Sequence, residues 1–473
     1  MNAVPPAAAA PGPRDPRQRP GAPGAATRRM VVPIDFVTLA AFAVAPAMAL
    51  YQGITAGLGV LRPLDPYTAT LVPLLVIVGC LVLRLTGVKR ILALRGLRRS
   101  IWYLLGYLLV VLFSTLVVFA DPIERDPSQM FQQYLSTAGA ALVFFVMIAA
   151  PSFPAAMRAM KIGILVWAFA AILTPLTVLT PLPIGEVQGA YEGSAGVRSF
   201  GVLGDGGAFV VSFLAVAFFV SRRFGWLALA MLALVMSGSR IPLIVAGAGI
   251  AGAIVLSNPA GAGRRPGARA IRVVLASLIA ALLLVSIQVL FSTLSHKFGA
   301  LNAFDRLNDT DFTQSDRFFS IVQGLEWAKL SPIFGSGYNS YFYFSLRSAA
   351  FGANASSALN QIIQTLVDGG VLALLFLGLF FYETLRPGPG RLMMDRRVDP
   401  LAMRVWLLTF LVLNQSAVFI SPAGYLTILV FALSGMAVYG REVTTAAMPR
   451  LPARRPAGPP SGPVRPGTVP HPR

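Results

Sequence analysis

Residues 315–347 read SDRFFSIVQGLEWAKLSPIFGSGYNSYFYFSLR and form the middle of a mostly polar stretch that covers residues 296–358. Apolar residues recur at helical spacing in the first part of the quoted segment, and Pro332 makes Ser331 a helix boundary. We therefore predict a short amphipathic helix, then a flexible turn at residues 335–337, then an aromatic segment. A loop this long between hydrophobic runs is typically functional or disordered, and its aromatic content argues against disorder.

The composition around this stretch is that of a polytopic membrane protein. Of 473 residues, 56% are hydrophobic and 12% are charged, and the mean hydropathy is +0.70, too apolar for a soluble globule. The hydrophobic runs predict an all-α fold with about 12 transmembrane helices. The predicted spans lie near residues 32–52, 67–84, 101–120, 132–150, 160–182, 203–221, 224–237, 241–257, 271–294, 359–382, 402–420 and 424–440.

These spans divide the chain into parts. Residues 1–30 and 441–473 are rich in Pro, Gly and Arg, which predicts disordered basic tails in the cytoplasm. Residues 31–295 hold the first nine spans and residues 359–440 hold the last three. Between them, residues 296–358 form a large extracytoplasmic loop that contains short helices.

The predicted topology accounts for the location of the basic residues that give the formal net charge of +20. With the N-terminus inside, most of the 39 Lys and Arg residues fall in the tails and in connections on one face, as the positive-inside rule requires. We therefore interpret the basicity as a topology signal with some attraction to anionic lipids. Nucleic-acid binding is rejected on the same ground.

Cysteine and histidine usage excludes several classes of chemistry. Cys80 is the single cysteine, so no intrachain disulfide and no thiolate metal cluster can form. The two histidines are His296 and His471, which excludes a zinc site built on several histidines and leaves only His296 for a catalytic triad. Scattered outer carboxylates could still hold a divalent cation, but no acidic pair has ligand spacing, and we predict no metal site. We also predict no cofactor.

A set of arginines near the outer ends of the predicted spans, or in the loop, is the main candidate for chemistry: Arg198, Arg240, Arg317 and Arg347. A guanidinium group is permanently charged and binds phosphate oxygens in a bidentate fork, which suits a phosphate-bearing lipid headgroup. Each arginine taken alone could instead pair with a carboxylate or anchor a helix end. Taken as a set near a long loop, they favour function.

Three segments resemble the family of O-antigen ligases and Wzy-type polysaccharide polymerases, and the similar topology covers most of residues 30–440. RSFGVLGDGGAF at residues 198–209 resembles the family's arginine and glycine followed by an acidic residue, and SGSR at residues 237–240 resembles its Ser-Arg signature. The third runs from Arg317 through PIFGSGYNSYF to LNQIIQTLVDGGVLALL and resembles the family's large loop and following helix.

The resemblance implies a metal-independent glycosyltransferase of the bacterial inner membrane. Its substrate would be an undecaprenyl-diphosphate-linked glycan, and chain-length regulator and flippase proteins would be partners besides the membrane lipids. Negative charge grows on the diphosphate as the glycosidic bond breaks, and fixed cations stabilise it. The candidate catalytic residues are therefore Arg317, Arg198 and Arg240, with Asp205, Asp316 and Glu326 as bases chosen by position alone. For each carboxylate taken alone, the position favours a cap, a salt-bridge partner or a solvated residue over a base.

The candidate substrate-binding residues lie in the loop or at its end: Arg347, Tyr338, Asn339, Tyr341 and Asn360. Their aromatic rings could stack on sugars or could pack the loop onto the membrane surface. The asparagines could bind sugar hydroxyls or could serve as loop and helix caps.

One position departs from the family pattern and shifts the functional prediction. Members with ligase activity commonly have His-Asn before the helix that follows the loop, whereas this chain has Leu359-Asn360. The absent histidine favours a polymerase of O-antigen or exopolysaccharide over a ligase that transfers glycan to lipid A-core. A transporter or flippase and a non-catalytic scaffold are the alternatives from other classes, and the coupled transporter is weakened because only Asp368 lies deep in a predicted span.

Overall fold

The computed structural model is a helical membrane protein. It describes residues 33–58, 66–87, 95–120, 126–179, 186–188, 198–201, 207–236, 240–256, 316–347, 360–386, 400–413, 420 and 424–447. The helices are α1 Phe36–Leu58, α2 Pro66–Arg84, α3 Arg95–Ala120, α4 Pro127–Ala141, α5 Val143–Ile148, α6 Phe153–Leu179, α7 Gly207–Val220, α8 Phe224–Met236, α9 Arg240–Leu256, α10 Asp316–Ala328, α11 Ser340–Arg347, α12 Gln361–Leu385, α13 Pro400–Leu413 and α14 Tyr425–Ala447, with a 3-10 turn at Leu85–Gly87.

Six helical segments of the described ranges are long and apolar enough to cross a membrane: Phe36–Thr55, Leu97–Val117, Ser128–Ile148, Phe153–Ala171, Gln361–Leu385 and Tyr425–Val443. Shorter apolar helices coincide with most of the other predicted spans. The ninth predicted span, residues 271–294, lies outside the described residues. The helical membrane architecture is therefore confirmed, and the total of 12 spans stays a prediction.

Two short strands depart from the all-α prediction. β1 (Glu186–Gln188) pairs antiparallel with β2 (Arg198–Gly201), with Gln188 opposite Arg198. Strands of three or four residues are too short to give a readable alternation among long apolar runs. The hairpin follows α6, so it lies in the connection that precedes α7.

Small residues set the distances between the packed helices. α12 packs along α3, and α1 packs along α6. At the first crossing, a Cβ added to Gly106 would come within 2.7 Å of the Phe376 ring, and at the second a Cβ on Gly163 would meet Phe42 at 2.4 Å. Helices in lipid associate through such close van der Waals contact, because no hydrophobic effect drives them together.

Polar side chains join helix ends at one end of the bundle. The Arg84 guanidinium donates to the buried Asp35 carboxylate and also to the Ala149 carbonyl oxygen at 3.4 Å. At the same end the Tyr439 hydroxyl donates to the Ala150 carbonyl oxygen at 2.8 Å. α14 continues to Ala447, past the predicted start of the C-terminal tail at residue 441.

Candidate functional site

The predicted amphipathic helix exists as α10 and ends before Pro332, as the sequence pattern indicated. We call residues 316–347, from α10 through α11, the cap. The cap has a small core of its own against the beginning of α12, formed by Tyr341, Phe344, Ile363 and Val367. The Trp327 ring stands edge-on to Tyr341 with centroids 4.7 Å apart, and the Tyr341 hydroxyl donates to the Ser320 carbonyl oxygen at 3.1 Å.

The helix beneath the cap is broken. Gly370 has φ 67° and ψ −168°, so the regular hydrogen bonds of α12 cannot continue through it. Residues 332–337, which we call the strap, supply the missing partners. Backbone N–H groups donate from Ser336 to Val367 (2.7 Å), from Gly337 to Asp368 (3.0 Å), from Val371 to Pro332 (2.8 Å) and from Leu372 to Ile333 (3.3 Å).

The prediction of a flexible turn at residues 335–337 was therefore wrong in one respect. A turn is present, but its backbone is tied to the break in α12. The close approach also explains the glycines, because a Cβ on Gly335 would lie 2.3 Å from the Gly369 nitrogen and a Cβ on Gly370 would lie 2.2 Å from the Ile333 oxygen. Both glycines have positive φ, which other residues rarely adopt.

Asp368 stands at the break and joins it to the cap. Its carboxylate is buried and accepts hydrogen bonds from the Gln364 side-chain amide at 3.0 and 3.1 Å. It also accepts from the backbone N–H groups of Asn339 and Ser340, which open α11. Within the described part of the chain, no Lys or Arg lies within salt-bridge distance of this carboxylate. A carboxylate on one helix thus caps the start of another.

Side chains of α3 and α4 hold the other side of the cap. These hydrogen bonds are Tyr338 N–H to Thr115 Oγ1 (3.0 Å), Tyr338 hydroxyl with Thr137 hydroxyl (2.6 Å), Asn339 Nδ2 to Gln133 Oε1 (2.9 Å) and Tyr343 hydroxyl to Gln129 Oε1 (2.8 Å). Burial raises the pKa of the Tyr338 phenol well above its ordinary value, so this hydroxyl stays neutral. The cap is therefore held by three spans, α3, α4 and α12.

The predicted arginines and acids lie at the ends of elements. Asp316 and Arg317 begin α10 and Arg347 ends α11, so the cap brings these three positions into one compact unit. Arg240 begins α9 and Arg198 begins β2. Asp205 lies outside the described residues.

The remaining predicted binding residues serve structural roles in this conformation. Tyr338 and Tyr341 are buried, so stacking on a sugar would require the cap to open. The left-handed backbone of Asn339, at φ 57°, turns the chain into α11. Asn360 is the N-cap of α12, where its side-chain oxygen accepts from the N–H groups of Ile362 (2.9 Å) and Ile363 (3.3 Å). Capping is thus observed for Asn360, the two tyrosines pack against protein, and binding of sugar by these residues stays a prediction.

Sequence reasoning noted the depth of Asp368 in its span but missed its role. The available signal was the sequence QTLVDGG at residues 364–370, where an amide and an acid four residues apart precede two glycines inside an apolar run. An acid beside a glycine pair in a span indicates a break whose backbone needs partners. Among the described residues, no group of three or more His, Cys, Asp or Glu that could hold a metal ion is present.

The fold is that of a multi-pass helical membrane protein in which side chains of the spans hold the cap. A protein of this class can hold charged groups at a membrane boundary. The family described as O-antigen ligase (Wzy_C) matches residues 225–378, which include Arg240, the cap and the break in α12. This match confirms the resemblance read from the sequence over these residues. The comparison with curated proteins found no match.

The matched family gives a more specific class of protein than the fold does. It indicates a membrane glycosyltransferase-like enzyme of the O-antigen ligase or polymerase type, with lipid-linked glycans as substrates. Arg198 and Asp205 lie outside the matched residues, whereas Arg317 and Arg347 lie within them.

Proposed function

We propose that this protein is a polymerase that joins undecaprenyl-diphosphate-linked oligosaccharide repeat units into O-antigen or exopolysaccharide on the outer face of the bacterial inner membrane. The observation that carries the proposal is the family match over residues 225–378 together with Leu359 at the position of the ligase histidine. The match supports the class of substrate, and the departure favours the polymerase over the lipid A-core ligase.

In the proposed reaction, a sugar hydroxyl of one lipid-linked repeat unit attacks the anomeric carbon of the growing glycan on a second carrier. A new glycosidic C–O bond forms, the bond between the anomeric carbon and the diphosphate oxygen breaks, and undecaprenyl diphosphate leaves with the bonding electrons. The hydroxyl proton passes to a base, for which Asp316 and Asp205 are the candidates. The membrane holds both lipid carriers, so the reacting groups meet near its surface.

The proposed role of the arginines is to stabilise the leaving diphosphate. Arg317 and Arg347 are assigned this role because they lie at the start of α10 and at the end of α11, the two helices of the anchored cap. Arg198 and Arg240 are assigned it because they begin elements near the predicted outer face. Cations held in place before the reaction stabilise developing charge without the cost of reorganisation. Because arginine can bind two phosphate oxygens at once, we also propose that the reaction needs no metal ion.

The test is a polymerisation assay with purified protein in liposomes and a synthetic undecaprenyl-diphosphate-linked repeat unit. We expect a ladder of longer lipid-linked glycans and released carrier, both unchanged by EDTA. In Arg317→Ala, the rate should fall by about 100-fold or more, as for the loss of one fixed oxyanion-stabilising group. Lys329→Ala is the matched control, because Lys329 is an exposed cation just after the same helix and pairs only with the exposed Glu326 among the described residues. Size-exclusion chromatography verifies that both variants are folded.

Three outcomes contradict the proposal. Equal ladders from Arg317→Ala and wild type would remove the arginine from the reaction. Transfer to an added lipid A-core acceptor without a ladder would make the protein a ligase. Movement of labelled substrate across the bilayer with no ladder, over several repeat units, would make it a transporter.

A further inference from the structure

The strap carries its apolar side chains outward. Ile333 is 58% exposed and Phe334 44%, although the strap backbone is hydrogen-bonded to α12, and Leu330, two residues before the strap, is 68% exposed. Val322 and Leu325 on the neighbouring face of α10 are also exposed. A contiguous group of large exposed apolar side chains in a protein of this class marks contact with lipid or with another protein.

This apolar group is continuous with two membrane spans. The Phe334 ring lies edge-on to Phe113 of α3, with centroids 5.4 Å apart, and Phe113 is itself exposed. The residues that follow the docking point on α12, Val371 and Leu375, are exposed as well. The outer side of the strap therefore prolongs the apolar outer faces of α3 and α12, both of which are long enough to cross a membrane.

The strap also docks at membrane depth. The part of α12 beyond the break, residues 371–385, covers only about 22 Å at 1.5 Å per residue. The hydrocarbon core of a bilayer is about 30 Å thick, so α12 spans it only if the break lies inside. On α3, Phe113 contacts Phe334 of the strap and Thr115 accepts from the Tyr338 N–H group of the cap, and both residues fall within the apolar segment Leu97–Val117.

The backbone of the strap has the hydrogen bonds that a non-helical segment needs at membrane depth. Non-helical backbone is tolerated at membrane depth only where protein satisfies its polar groups. The strap exchanges hydrogen bonds with α12 on both sides of the break, and Gly335 N–H donates to the Ser331 carbonyl oxygen at 2.9 Å. Its polar side faces protein, and its apolar side chains face away from it.

We propose that Leu330, Ile333 and Phe334 insert among the acyl chains of the leaflet on the cap side, so that the strap is a re-entrant wedge that seats the cap in the membrane. The partner of this surface is lipid hydrocarbon. The insertion itself needs only the membrane-spanning fold.

The test uses spin labels on single cysteines in a Cys80→Ala background, with the full-length protein in phosphatidylethanolamine and phosphatidylglycerol liposomes. The label at Ile333→Cys is compared with an aqueous control at Glu326→Cys and a lipid-facing control at Leu375→Cys, all three being exposed positions. Collision rates with oxygen and with a water-soluble nickel chelate are measured. We expect an oxygen-to-nickel ratio at 333 like that at 375 and well above that at 326, because oxygen enters the hydrocarbon of the bilayer and the nickel chelate stays in water.

Two results overturn the proposal. If the strap faces water, the label at Ile333→Cys will be as accessible to the nickel chelate as the label at Glu326→Cys. It is shielded from both reagents, and shows dipolar broadening that disappears on dilution with unlabelled protein, if a second copy covers this face. Phe334→Trp gives an independent reading as the difference from wild type, whose five tryptophans supply the background fluorescence. Brominated lipids should quench the added fluorescence and aqueous acrylamide should not. A polymerase that fails the activity test can still pass this one, so the two failures are distinguishable.

Discussion

Two buried carboxylates on α12, Asp368 and Glu383, are stabilised by different means. Glu383 is 4% exposed and lies 3.6 to 3.7 Å from the guanidinium groups of Arg99, Arg386 and Arg441. Asp368 is 6% exposed, and its observed partners are the Gln364 amide and two backbone N–H groups of the cap. The first carboxylate joins the ends of α3, α12 and α14, whereas the second joins α12 to a loop.

The difference shows which part of the molecule each acid controls. At Glu383 the partners are charged side chains of α3, of α14 and of the end of α12 itself, and removing the acid takes a partner from the buried Arg441 inside the bundle. At Asp368 the partners are mostly backbone groups at the start of α11, so removing the acid loosens the cap and leaves the spans in place. Substitutions should therefore separate stability of the bundle from position of the cap.

The largest effect is expected from Gly370→Ala, which would disrupt the break in α12 at which Asp368 lies. The added Cβ would meet the Ile333 carbonyl oxygen at 2.2 Å on a backbone with positive φ, and we expect a loss of more than about 4 kcal/mol. The control is Gly378→Ala on the same helix, where a Cβ meets nothing within 4 Å and helix propensity should contribute up to about 1 kcal/mol. Thermal unfolding in detergent measures both, and equal midpoints would show that the break is dispensable.

Glu383→Gln comes next and tests the charged end. Arg441 is almost fully buried and would lose one of its two anionic partners while it keeps Glu442 at 3.1 Å, so stability should fall by up to about 3 kcal/mol. Adding Arg441→Met should restore part of this loss, since the double variant no longer buries a guanidinium group that lacks Glu383. If the double variant is no more stable than the single one, the pair does not act through charge.

Asp368→Asn should be milder for the whole protein and specific to the cap. Loss of one acceptor oxygen from a buried group costs about 1 to 3 kcal/mol. Because the loss is local, trypsin should cut after the exposed Lys329 roughly tenfold faster than in wild type, by local opening of the cap. Glu383→Gln is the matched control and should leave this cleavage rate unchanged under conditions where it is folded. Equal cleavage rates in both variants would break the comparison.

Arg386→Ala should have the smallest effect. Its head group is half exposed and lies 3.6 Å from Glu383, and such pairs contribute about 1 kcal/mol or less. Arg99→Ala, whose head group is also exposed, should behave in the same way. A loss as large as that expected from Glu383→Gln in either variant would show that exposure does not rank these arginines.

The periodic parts of the fold could be predicted from the sequence. The apolar runs gave the positions of the spans, and the spacing of Phe318, Val322 and Leu325 gave α10. The break in α12 was not predicted, because two glycines inside an apolar run do not interrupt the pattern of hydrophobicity. The strap was interpreted as flexible because its partners, residues 367–372, are some thirty residues away and no local signal pairs the two segments.

The candidate site was predicted less fully for the same reason. Arg317 and Arg347 stand out by charge, and their positions at the ends of the cap helices follow from helix boundaries. Tyr338 was interpreted as an equally good sugar platform or packing residue, and only the contacts with Thr115 and Thr137 decide for packing. Such contacts join residues more than 200 positions apart, which single-residue properties do not encode.

The docking of the strap into the break also sets an order for biosynthesis. The strap leaves the ribosome before α12, and its partners on α3 have been in the membrane since early in synthesis. Until residues 367–372 follow, the N–H groups of Ser336 and Gly337 have no α12 carbonyl oxygen to bind, and water must serve instead. The cap therefore closes only after α12 has entered the bilayer, and a nascent chain that stops before α12 leaves this segment at the water interface.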